Sequence, residues 1–68
     1  MAVKLELYRI FRTVAEEESI SAAAKTLFIS QSAVSQSIHQ LEEQLQVRLI
    51  SRQPRGVPLT REGRVLYD

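Results

Sequence analysis

Apolar residues recur along this chain at helical spacing in three successive stretches, then alternate, then return to helical spacing. Over residues 4 to about 17, Leu5, Tyr8, Phe11 and Ala15 fall on one side of a helix, with Leu7 and Val14 flanking them. Arg9, Arg12 and Glu16 face away, so this stretch is expected to be core scaffolding with a solvated outer face. The run Glu16-Glu17-Glu18 falls at the helix C-terminus, where the dipole disfavours negative charge; it reads as a solvated end that would also repel a polyanion.

Ser19-Ile20-Ser21 breaks the pattern, and Ser21 is the expected N-cap of a short helix from Ala22 to Leu27. Three successive alanines permit close helix–helix approach, with Ile20, Ala24 and Leu27 toward the core and Lys25 and Thr26 outside. Phe28-Ile29-Ser30 is then a turn of three residues, the length that joins two steeply crossed helices in a helix-turn-helix. Ser30 would cap the next helix and Ile29 would staple onto Val34. Phe28, with Tyr8, Phe11 and Leu49, is expected in the core.

From Ser30 to Leu45 one helical face carries Val34, Ile38, Leu41 and Leu45. The opposite face carries Gln31, Ser32, Ser35, Gln36 and His39, none with a fixed charge. Solvated helix faces favour Glu, Lys and Arg, which form helices better than Ser. Gln can contact adenine in bidentate fashion, and Ser can meet several base edges, so this face suits reading a duplex. Glu42, at the far end, is expected to make an internal ion pair.

After Leu45 the period changes. Val47 and Leu49 alternate with Arg48 and Ile50, which predicts a short strand; Gln53-Pro54-Arg55-Gly56 is a turn, and Val57-Pro58-Leu59 a second short strand confined to an edge by its proline. Together these form a two-stranded wing over about 47–59, with Arg52 and Arg55 near its tip. Thr60 caps a last helix with Glu62 in its first turn. Val65 and Leu66 begin an apolar pattern that stops at Asp68, so the chain is expected to continue in nature. The fold class is therefore mainly α: a three-helix core, a short wing and the start of a further helix. The domain spans 1–59, with the helix-turn-helix at about 20–39, and 60–68 opens the next segment.

Composition narrows the function. Sixty-eight residues make one small domain near the lower limit for a self-sufficient core. With no cysteine and one histidine there is no disulfide, no thiol nucleophile and no plausible zinc set. No apolar run approaches a membrane span and no secretory leader is visible, so a soluble cytoplasmic protein is the expectation. Four aromatic residues offer little for stacking single strands. The net charge of +1 is unevenly placed: four basic against six acidic residues up to Gln46, then five arginines against Glu62 and Asp68. Arginine favours fork-like phosphate contacts.

Three classes of function remain to be weighed. Sequence-specific duplex binding fits the uncharged Ser/Gln face flanked by arginines. A protein-interaction module on the same fold is the alternative. An enzyme is disfavoured, because the scattered serines have one possible base, His39, and there is no glycine-rich phosphate loop.

The residues also resemble the N-terminal DNA-binding domain of LysR-type transcriptional regulators, over essentially the whole chain. The matching stretches are Ala15-Glu16-Glu17, Ser19-Ile20-Ser21-Ala22-Ala23-Ala24, Ser30-Gln31-Ser32-Ala33-Val34-Ser35, Ile38, Leu41-Glu42, Leu45, Val47-Arg48-Leu49, Arg52, and Leu59-Thr60 with Gly63. The resemblance implies a bacterial regulator that binds an interrupted palindrome in double-stranded DNA as a homodimer or tetramer. It implies no cofactor in this domain and a small-molecule effector site in a C-terminal domain beyond it. Residues 60–68 would begin the linker helix that dimerises, leaving this piece a monomer or weak dimer. By position, Gln31, Ser32, Ser35 and Gln36 match the base-reading face. Ser30, His39 and Arg48 match backbone-proximal positions, Arg52 the basic position of the wing, and Arg55 its tip. Ser32 stands where the family often has Pro or Ala. Glu18 and Gln46 stand where glycine is common after the first and third helices, so those ends either close differently or carry a small cost.

Overall fold

Three of the helices in the computed structural model begin at a hydroxyl. Residues 5–51 and 58–68 are described. They form α1 (Leu5–Glu17), α2 (Ile20–Leu27), α3 (Gln31–Leu45) and α4 (Arg61–Tyr67). Ser19, Ser30 and Thr60 each stand in extended backbone and accept from the amide three residues on, those of Ala22, Ala33 and Gly63, each at 3.0 Å. Each cap satisfies one of the donors a helix start leaves orphaned. The cap of α2 is thus Ser19, not Ser21, and the helix starts two residues earlier than the pattern suggests.

The first three helices end on a left-handed residue, and none of these is glycine: Glu18 at φ 55°, Phe28 at φ 59° and Gln46 at φ 60°. After α2, Phe28 N–H donates to Lys25 O and Ile29 N–H to Ala24 O; after α3, Gln46 N–H donates to Glu43 O and Val47 N–H to Glu42 O. Both are Schellman closures, and they satisfy carbonyls at a cost of roughly 1–2 kcal/mol for each side chain placed there. The ends at Glu18 and Gln46 therefore close as glycine would close them and bear the cost. Phe28 makes a third such site, one the sequence pattern does not announce.

The α1, α2 and α3 helices pack on one another around Phe11, Val14, Ala23, Val34, Ile38, Leu41 and Leu49, all fully buried. The α3 stripe is as expected, with Leu45 partly buried at its end. On α1 the buried residues are Leu7, Ile10, Phe11 and Val14, while Leu5 is exposed. The packed face is thus rotated from the expected one and centred on Ile10. On α2, Ala23 joins Ala24 in the core, as close approach demands, and Ile20 and Leu27 are half-buried. Phe28 is the largest departure: it is 93% exposed, because the left-handed turn lifts it off the core.

Past α3 the chain forms one antiparallel bridge, Ile50 with Leu59, flanked by Ser51 N–H to Pro58 O at 2.9 Å and Thr60 N–H to Leu49 O at 3.0 Å. This is the root of the wing; among the described residues it amounts to a bridge rather than two extended strands. Leu49 and Ile50 are both buried, so the alternation expected there is not kept. The α4 helix then closes on this root. A Cβ on Gly63 would stand 2.0 Å from Leu49 O, a separation no side-chain carbon tolerates, so glycine is what lets the two backbones meet. Tyr8 O–H donates to Leu66 O at 3.5 Å and ties α1 to the same helix.

Candidate nucleic-acid interface

The α3 helix has a fully buried side and a largely exposed one. Val34, Ile38 and Leu41 pin it from behind. On the far side Gln31, Ser32, Gln36 and His39 are exposed and Ser35 is half-buried, so all five stand on the face expected of them. Ser32, Gln36 and His39 each stand two residues from a core position, which turns them away from the interior, whereas Ser35 lies on the flank and Gln31 is exposed at the open start of the helix.

Ser30 precedes this face and is exposed. Its Oγ is engaged by Ala33 N–H, but its hydroxyl proton stays free to donate outward. Gln31 follows, and its Nε2 donates to Oγ of Ser21 on α2 at 3.4 Å, a bond across the helix-turn-helix. A helix start leaves amides without intrahelical partners, which favours an anion beside the first turn of α3.

At the other end of α3, His39, Glu42, Glu43, Gln46, Val47 and Arg48 line an open recess of about 480 Å³. His39 and Arg48 are exposed, and Arg48 has no ion-pair partner among the described residues. Glu42 is buried at 7% exposure. Its Oε2 accepts from Leu49 N–H at 2.8 Å and from Ile50 N–H at 3.4 Å, while Oε1 lies 3.6 Å from Nδ1 of His39. Glu42 is therefore internal, but its chief partners are two main-chain amides at the wing root rather than the ion pair expected. The bond from Leu49 is short and charge-assisted and that from Ile50 is longer, and with the burial of Glu42 they leave the carboxylate no surface for a polyanion. Its partners were not legible in the sequence; the signal for its burial is its place four residues after Ile38, on the edge of the apolar stripe.

Gln31, Ser32, Ser35, Gln36 and His39 thus share one helix, Ser30 caps its start, and Arg48 borders its far end. Arg52 and Arg55, expected at the wing, lie outside the described residues, as does its turn. The acidic run at the end of α1 is exposed, with Glu16 paired to Arg12 at 3.6 Å and Glu17 accepting a hydrogen bond from Thr26. No cluster of acidic and histidine side chains among the described residues could hold a metal. No helix among them is long and apolar enough to cross a membrane.

Comparison with known proteins puts this geometry in context. Residues 5–64 match the family model described as bacterial regulatory helix-turn-helix protein, lysR family. The HTH-type transcriptional regulator GltR of Bacillus subtilis (strain 168) is 45% identical over 66 residues, which is 97% of this chain and 22% of GltR. The chain therefore spans about a fifth of the length of the curated relatives it matches. Among solved structures, the DNA-binding domain of BenM bound to catB site 1 DNA aligns with a TM-score of 0.92 at 40% identity, over 96% of this chain and 72% of that one. The DNA complex of the CbnR DNA-binding domain aligns with a TM-score of 0.92 at 34% identity, over 96% and 75% respectively.

Proposed function

The chain belongs to the LysR family of bacterial helix-turn-helix regulators, and from that membership we propose that it reads double-stranded DNA in a sequence-specific way through α3. Its homologues are transcriptional regulators, not enzymes. The α3 helix enters the major groove, with Gln31, Ser32, Ser35 and Gln36 toward base edges. Ser30, His39 and Arg48 lie against phosphates at its two ends, and Arg52 and Arg55 clasp the backbone or minor groove from the wing. The observation that carries this reading is the exposed, uncharged amide and hydroxyl face of a helix whose other side is wholly committed to the core. A face without fixed charge adds little to sequence-independent attraction, which leaves hydrogen-bond readout as its use.

The intact regulator would be a cytoplasmic homodimer or tetramer on an interrupted palindrome, with residues 60–68 opening its linker helix. No cofactor is needed in this domain, and a small-molecule effector would bind in a C-terminal domain. Both BenM and CbnR, structurally close to this chain, are solved on DNA.

Selecting duplexes from a random pool supplies the target. On that target Gln31→Ala is expected to lower affinity by about 1–3 kcal/mol and relax preference at one base pair. Arg48→Ala is expected to weaken binding to every duplex and reduce the salt slope by about one. Equal losses for Gln31→Ala on selected and random duplexes would exclude base reading by that residue.

A further inference from the structure

The cap of α2 is Ser19, whose Oγ holds Ala22 N–H. This leaves Ser21, two residues into the helix and exposed, with no capping duty. Its Oγ instead accepts from Nε2 of Gln31, across the turn, at 3.4 Å. We propose that Ser21 is a positioning residue for base readout: it orients the Gln31 carboxamide, so that the remaining N–H and the carbonyl oxygen of Gln31 face one base edge together. The inference rests on Gln31 reading a base.

The chemistry follows from the donors available. A carboxamide has two N–H donors and one carbonyl. In the major groove adenine offers the N6 donor beside the N7 acceptor, whereas guanine offers two acceptors. With one N–H given to Ser21, the other can meet N7 while the carbonyl accepts from N6. An amide held in this sense sets its carbonyl against an acceptor when guanine stands at the same place. Free to rotate, it would discriminate less. A glutamine on the first turn of an exposed face also has several rotamers to lose on docking, and a partner that already narrows them reduces that loss. At 3.4 Å the bond is weak, so it biases the amide without holding it away from DNA. Ser21 acts from the neighbouring helix, which lets α2 tune specificity without touching a base.

The test uses the selected duplex and versions of it altered at the base pair where Gln31→Ala loses discrimination. Binding is measured for the parent chain, Ser21→Ala, Ser21→Thr, Gln31→Ala and the Ser21→Ala/Gln31→Ala double variant, with a thermal melt of each. Ser21→Ala is expected to cut discrimination at that pair about three- to tenfold, the range of one ordinary hydrogen bond. Affinity for random duplex and the melting curve should stay nearly unchanged. Ser21→Thr, which keeps a hydroxyl, should retain discrimination, and Ser21→Ala should add nothing once Gln31 is alanine. The proposal is overturned if Ser21→Ala weakens all duplexes alike, or weakens binding further in the Gln31→Ala background; either result would place the hydroxyl on DNA itself. It is also overturned, alone, if Gln31→Ala loses selectivity and Ser21→Ala does not. If Gln31→Ala itself shows no selective loss, base reading by Gln31 fails first.

Discussion

The turn that leads into α3 and the turn that leads out of it close with the same backbone geometry, yet they are held by different means. Before α3, the left-handed residue is Phe28, 93% exposed, and what fixes the turn is local: two main-chain bonds and the Ser30 cap. After α3, the left-handed residue is Gln46, and to two main-chain bonds of the same kind the turn adds ties to residues further along the chain. The buried carboxylate of Glu42 holds the amides of Leu49 and Ile50, and Gly63 of α4 lies against Leu49 O. A helix-turn-helix turn can rely on the two helices it joins to set its angle. The wing root is a short segment with one bridge, so side chains and a neighbouring helix must supply the constraint that a longer ladder would give.

That contrast can be broken in order of size. Glu42→Ala should be the most damaging single change at either turn, because it leaves two inward amides unpaired at roughly 1–3 kcal/mol each. Glu42→Gln, which keeps an acceptor, should lose clearly less, and urea unfolding of the two variants separates acceptor from charge. Gly63→Ala is expected to cost about 1–3 kcal/mol as α4 is forced off the wing root. Its amide shifts should be concentrated at 48–50 rather than in α1 or α2. Ser30→Ala, at the locally fixed turn, should cost about 1 kcal/mol, the usual loss of a serine cap. The smallest effect sharpens the comparison by its sign. Phe28→Gly should raise stability by about 1 kcal/mol, since the strain is relieved and little buried surface is lost. Gln46→Gly should gain less, because it also removes the bond from Gln46 Nε2 to Glu43 O at 3.1 Å.

The same division explains what could be read from sequence. The stripe of Val34, Ile38 and Leu41 and the polar face opposite it were legible, because period alone decides them. So were Ser30 and Thr60 as caps. On α2 the cap is Ser19 and not the expected Ser21, because the helix starts at Ile20 and the frame of the helix decides which hydroxyl stands before it. On α1 the expected face includes Leu5, which its place at the helix start leaves exposed, and omits Ile10, in the middle of the helix where neighbours on both sides enclose a side chain. Phe28 was misplaced because an aromatic residue usually means core, whereas its left-handed backbone points it outward. The alternation expected at 47–50 failed because Leu49 and Ile50 lie between the end of α3 and α4, enclosed rather than laid on one face. The partners of Glu42 are seven and eight residues away, and nothing in the linear pattern states that separation.

The meeting of Gly63 with Leu49 has a mechanical consequence. Side chains between two elements act as cushions, taking up small displacements by changing rotamer. Here peptide rests on peptide, with no cushion between them. A tilt imposed on α4 would arrive undamped at the root of the wing, and so beside Arg48 and the exit of α3.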